Sequence, residues 1–226
     1  MILFDKQLNV FHLSNDQISY LLQIEEGGNV AHLYFGKKIS HYSGGYRYPR
    51  LDRSFSPNPP DSSDRLFSLD TLMLEFPGNG FGDFREAAYT IRQSDGSRVS
   101  HFVFSDYQIQ QGKPALAGLP QTHGVDDGIE TLILSLKDDV AGLELQLFYT
   151  IFEEAAVIVR SSKIINHGNQ PVTIEQLASQ ALDFPNRPFD LIHLPGAWAK
   201  ERQVTREPIH LSLIHISEPT RLQLIS

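Results

Sequence analysis

Cysteine is absent from the 226 residues, tryptophan occurs once and methionine twice. Without a thiol the chain forms neither disulfides nor thiolate nucleophile or metal sites, which fits a reducing compartment. Positive charge is scarce as well. Nineteen Lys and Arg stand against 27 Asp and Glu, a net charge of -8, and no Lys/Arg run is longer than two. Nucleic acid and anionic membrane are therefore not expected partners. No apolar run approaches the ~18 residues of a spanning helix, and Met1 to Gln7 lacks a basic leader. A soluble, cytoplasmic chain is expected. No G-x-S-x-G, P-loop or G-x-G-x-x-G occurs, and the nine histidines show no H-x-x-x-H or H-x-H spacing. Neither a metal nor a cofactor is predicted.

What is present is β-pattern. Ile18–Ile24 and Val30–Phe35 flank Glu25-Glu-Gly-Gly-Asn29, whose glycines supply the positive φ of a hairpin connection. Leu72–Phe76 reads as a buried strand, and Arg98–Tyr107 as another after the turn at 94–97. Glu130–Leu136, Leu143–Phe152 and Ala156–Ile165 follow as an antiparallel meander, then Val172–Ser179 after a turn at Asn166–Pro171. In the middle strand Leu143, Leu145 and Leu147 share one face while Glu144 and Gln146 share the other, so one face is core. With roughly eight to twelve such runs and no long helical stripe, the fold class is all-β, a large antiparallel two-sheet β-sandwich. No internal repeat is visible, and no low-complexity segment beyond one proline-rich loop.

That loop, Ser43–Pro60, holds four prolines, two glycines and three arginines. Long irregular loops inside compact domains are uncommon and usually functional or mobile. It carries Asp52 between Arg50 and Arg53, with Arg47, Asp64 and Arg65 nearby. Two readings fit: a carboxylate accepting sugar hydroxyls beside aromatic faces, or a surface ion-pair cluster. Trp198 poses a similar choice, because it follows a Pro-Gly turn and precedes a Lys-Glu-Arg run. It is either a packing residue or an aromatic facing a partner or a sugar ring. Asp126-Asp127 and Asp138-Asp139 read as solvated turn residues, since adjacent carboxylates do not face each other across a substrate. His12, His32 and His101 read as partly buried strand residues.

Residues 211–226 stand apart. Leu211 to Arg221 can be encoded by a string that resembles the transposon-end adapter of short-read sequencing libraries. A non-native tail after about His210 is expected, with the true coding sequence lost beyond it.

Tyr46–Arg53, Leu69–Arg85 with its Pro-Gly-Asn-Gly-Phe-Gly-Asp-Phe-Arg run, Gly118-Leu-Pro120 and His193–Arg202 resemble the amino-terminal domain of bacterial α-galactosidases of glycoside hydrolase family 36. The resemblance covers essentially residues 1–210. It implies a galactose-mutarotase-like β-supersandwich preceding a catalytic (β/α)8 barrel, which is missing from this sequence. The family removes terminal α-linked galactose from oligosaccharides such as melibiose and raffinose, with retention, through two aspartates on that barrel. The chain is thus expected to be an inactive amino-terminal fragment with no catalytic residue of its own. Family contacts carry over to Asp52, accepting galactose hydroxyls, to Trp198, packing on a sugar face, and to Arg65, orienting Asp52 or binding directly. In homotetrameric members such residues reach a neighbouring subunit, so an α-galactoside and further copies of the parent are the implied partners. A stand-alone carbohydrate-binding or assembly module is the alternative. The choice among galactoside, N-acetylgalactosaminide and transfer belongs to barrel residues.

Overall fold

The computed structural model describes residues 1–45, 50, 55, 57–59, 62–123, 128–184, 188–199 and 201–209. The expected tail at 211–226 lies outside them. Two compact units divide the chain, Met1–Asp183 and a second beginning at Phe184. Among the described residues no helix is long and apolar enough to cross a membrane.

Among its described residues the first unit contains ten strands: β1 (Ile2–Asp5), β2 (Val10–Ser14), β3 (Ile18–Ile24), β4 (Val30–Lys37), β5 (Tyr89–Arg92), β6 (Val103–Gln111), β7 (Ile129–Asp138), β8 (Leu143–Phe152), β9 (Ile158–Asn166) and β10 (Thr173–Leu177). β1 to β4 form one antiparallel meander and β6 to β9 a second, while β5 pairs with β10. The second unit holds the hairpin β11 (Asp190–His193) and β12 (Thr205–Pro208). The all-β sandwich read from the sequence is what the chain forms.

Alternation in β8 explains how the sheets meet. Leu143, Leu145, Leu147, Tyr149 and Ile151 all point inward, against Leu132, Leu134 and Leu136 of β7 and Phe11, Leu13, Tyr20 and Leu22 of the other sheet. Each such side chain contributes roughly 1.5–3 kcal/mol on burial. β3 is buried on both faces, because Leu21 joins Val10 and Leu33 under Leu8, Ile39 and Tyr42. Its near-continuous apolar run follows from that double cover. Asn15 clamps the two meanders at one end: its Nδ2 donates to the carbonyls of Phe152 and Ala155 at 2.7 and 2.8 Å, and its Oδ1 accepts from Gln17 and Ile18.

Two expected strands are altered. Leu72–Phe76 is not a strand; it meets β4 through a single bridge, Leu74 to Ala31, with His32 N donating to Met73 O and Glu75 N to Val30 O. The strand expected from Arg98 starts only at Val103, since Ser100 O accepts from Tyr89 Oη and His101 N donates to Asp138 Oδ2.

The reason for the break at Glu75 is electrostatic. Its carboxylate is buried between the sheets and accepts four donors: Tyr20 Oη at 2.7 Å and His32 Nδ1 at 3.1 Å on Oε1, Tyr149 Oη at 3.0 Å and Arg160 Nη2 at 2.9 Å on Oε2. A carboxylate has about four acceptor positions, so this one is filled and has none left for chemistry. The Arg160 guanidinium also lies 4.9 Å over the Tyr149 ring and donates to Ala181 O and Glu75 O. Burial alone would raise the Glu75 pKa; the Arg160 charge and the His32 and Tyr20 hydrogen bonds overcome it and hold it below 4.5. Burial next to Glu75 pushes the Tyr20 hydroxyl pKa well up, so it stays a donor.

Glu75→Gln should therefore destabilise the chain by about 3–5 kcal/mol, because it strands the Arg160 charge in the core. Urea unfolding at neutral pH measures this. The wild-type carboxylate contribution is complete at neutral pH and is lost as pH falls through 4.5 toward the lower folded-state value, so the difference between wild type and variant should shrink on acidification.

Candidate functional site

Irregular backbone is held at a few points, and these fix which loop side chains face outward. Arg50 donates through Nη1 to Asp64 Oδ2 at 2.7 Å and through Nη2 to Glu25 Oε2 at 2.9 Å, and its guanidinium stacks 5.4 Å over the Phe67 ring. Asn58 Nδ2 donates to the carbonyls of Arg65 and Phe67 at 2.8 and 2.6 Å. Asp64 Oδ1 accepts from Leu66 N; that bond, then the Arg50 hydrogen bond, lowers the Asp64 pKa. The ion-pair reading thus holds for Arg50 and Asp64. Asp52 lies outside the described residues, as do Arg47 and Arg53. Arg65 is exposed at the turn that Asn58 and Asp64 fix.

The Pro77–Arg85 run is a built turn in which each glycine has a steric reason. A Cβ on Gly78 would stand 2.1 Å from the Tyr89 hydroxyl, and one on Gly82 would stand 2.3 Å from Pro57 Cβ. Phe81 adopts a left-handed φ of 56° between Gly80 and Gly82, which are also left-handed. Arg85 closes the run, donating through Nε to Asp83 Oδ1 at 2.9 Å and through Nη2 to Leu69 O at 2.8 Å, and pairing with Asp183. The motif fastens the proline-rich loop, at Pro57, to the sandwich, at Tyr89 and Leu69.

In the second unit, β11 and β12 present the turn that carries Trp198. Arg206 pairs with Asp190 across the hairpin, Nε to Oδ2 at 2.6 Å, and Phe184 lies 5.6 Å from Phe189. Ala199 and Arg202 are left-handed, with φ of 59° and 64°. The Trp198 side chain is 95% exposed, so it is not a core residue of the described chain. Trp198 and Arg65 belong to separate units.

His12 and His32 sit in strands, His32 fully buried on Glu75, whereas His101 precedes β6 and is half-buried. Asp139 is exposed as expected, but Asp138 is buried, accepting from Val140 N, Ala141 N and His101 N. Asp126 and Asp127 lie outside the described residues. Among the described residues, no group of three or more His, Asp or Glu could hold a metal ion. The Glu75 cluster was missed; its one signal was a lone carboxylate inside the apolar run Leu72–Phe76.

The glycosyl hydrolase family 36 N-terminal domain model matches residues 28–219, a span that runs into the expected tail. Alpha-galactosidase Mel36A of Lactobacillus acidophilus is 48% identical over 210 residues, which are 92% of this chain and 29% of that protein. Among solved structures, the family 36 α-galactosidase AgaB of Geobacillus stearothermophilus superposes with a TM-score of 0.86 at 41% identity, covering 93% of this chain and 28% of that one. A variant of α-galactosidase AgaA from the same organism, in complex with raffinose, gives 0.83 at 43% identity over 89% of this chain and 28% of that one. The chain therefore spans less than a third of the length of these relatives.

Gly78→Ala should lower stability by about 1–3 kcal/mol by overpacking against Tyr89, whose hydroxyl is held on Ser100 O and cannot retreat freely. At Gly96 nothing lies within 4 Å of the added Cβ. Gly96→Ala should cost only the strain of its left-handed φ, about 1 kcal/mol. Thermal melts of the two variants measure the difference.

Proposed function

The chain belongs to the glycosyl hydrolase family 36 N-terminal domain family, and from that premise we propose that it is the non-catalytic β-sandwich portion of an α-galactosidase. The parent hydrolyses terminal non-reducing α-D-galactose of melibiose- and raffinose-type oligosaccharides with retention, and the two carboxylates of that mechanism lie beyond this portion. The observation that carries the reading is 48% identity to an α-galactosidase across 92% of this chain but only 29% of the relative. The raffinose complex of a 43% identical structure supports the substrate class.

Within the parent, this portion supplies contacts and not chemistry. Asp52 accepts galactose hydroxyls, Arg65 orients it, and Trp198 covers the apolar face of a sugar ring, a role that the full exposure of its indole supports. Assembly of the parent into a cytoplasmic homotetramer brings these side chains to a neighbouring subunit's active site. The stand-alone binding module remains the competing outcome of the test.

Trp198→Ala in the full-length parent should reduce kcat/KM on raffinose by about ten-fold and leave the melting temperature unchanged, since an exposed indole contributes little to folding. A fall in melting temperature with unchanged kcat/KM would return Trp198 to a packing role. Galactose titration of the single Trp in the isolated chain separates the alternatives: tight saturable quenching supports the stand-alone module, and very weak quenching supports a contact surface completed elsewhere.

A further inference from the structure

A cleft of about 240 Å³ opens in the first unit beside the Pro77–Arg85 run. Buried Phe67 and Leu69 line its floor, exposed Phe81 and half-buried His101 its wall, and exposed Glu26 with Asn29 its rim. The Phe81 and His101 rings are stacked, 4.1 Å apart at 25°. The left-handed Phe81 backbone between two glycines puts this 40% exposed ring there, which no packing requirement of the core explains.

Behind the cleft lies a recess of about 40 Å³ that shares Asn29, Leu69, Phe81 and His101 with it. Asp83 and Ser100 line the recess and are 5% and 3% exposed. Arg85 engages Oδ1 of Asp83; among the described residues, Asp83 Oδ2 and Ser100 Oγ have no hydrogen-bond partner. Buried polar atoms of native proteins are almost always paired, by protein, water or ligand. Two in one recess, behind an aromatic-walled cleft, form a coherent set: apolar ring faces outside, an acceptor and a hydroxyl inside.

We propose that this cleft and recess form a second saccharide site, taking one pyranose ring against Phe81 and His101 with its hydroxymethyl arm reaching Asp83 and Ser100. The volume is below the roughly 300–1,000 Å³ of sites for larger ligands, which favours one ring over an oligosaccharide. An aromatic wall matches the apolar face of a pyranose, and Asp83 Oδ2 can only accept, so it matches a hydroxyl donor. A cation is disfavoured, because Arg85 already bears on the same carboxylate and hard cations take about six to eight oxygens. The choice of a saccharide rests on the carbohydrate reading above; the cleft and its lining residues do not.

Amide NMR of the 226-residue chain titrated with methyl α-galactoside in the millimolar range tests this. Shifts should appear at Asn29, Gly80, Phe81 and His101. His101→Ala should weaken them by about five-fold or more, while Trp198→Ala leaves them unchanged. If His101→Ala unfolds the chain, Glu26→Gln, changed at the exposed rim, takes its place with the same expectation. Shifts confined to residues around Trp198 would overturn this site and leave the proposed function standing. Shifts at neither place would overturn this site alone, because the proposed function expects only very weak binding around Trp198 in the isolated chain. Equal shifts with glycerol at the same concentration would also overturn it, because the cleft would then recognise no ring.

Discussion

Four donors on one buried carboxylate set the geometry on which the rest of the structure depends. Glu75 takes Tyr20 and His32 from the first meander and Tyr149 and Arg160 from the second, so neither sheet can slide without uncovering a charge. The constraint spreads outward through Arg160. Its second nitrogen holds Ala181 O, the neighbouring Ser162 holds Ala178 O, and Asp183 at the end of that segment pairs with Arg85. Arg85 in turn closes the glycine-rich run on Leu69 and Asp83. A buried ion pair is not by itself a gain in stability over apolar packing. Its effect is to specify one register and one path for the loops.

Loops positioned in this way suit a contact role. A rigid sandwich presents the anchored loop around Arg50 and Asp64 and the run carrying Phe81 and Phe84, which is 89% exposed. The second unit presents Trp198 on its own hairpin. Binding residues are concentrated on loops held by such scaffolds. The four donors on Glu75 fill its acceptor positions and leave none for a ligand.

Strands whose local pattern and turn chemistry agree were legible in the sequence. β3 runs over Ile18–Ile24 and β8 over Leu143–Phe152, as their apolar periodicity and flanking turns predict. Leu72–Phe76 misled because its apolar residues serve a short crossing that turns Glu75 inward, a long-range demand that no local pattern carries. β1, β5 and β11 have four residues each, too few for alternation to show, and the partner of β5 is the distant β10, paired through a register shift. Ser100 and His101 looked like strand but are committed to Tyr89 and Asp138 instead. At the site, the exposure of Trp198 fits its Pro-Gly and charged flanks. The ion pairing of Arg50 with Asp64 was one of two open readings, and only tertiary geometry decides it. Asp52 lies outside the described residues, and its proposed role rests on the family resemblance.

In the proposed reading this chain contributes contacts to an α-galactosidase without its chemistry. The most direct measurement is hydrolysis of p-nitrophenyl α-galactoside by the purified chain, alone and after mixing with the remainder of a full-length parent that lacks this portion. No turnover from the chain alone, and activity on mixing above that of the remainder by itself, is the expected result. Turnover by the chain alone would contradict it.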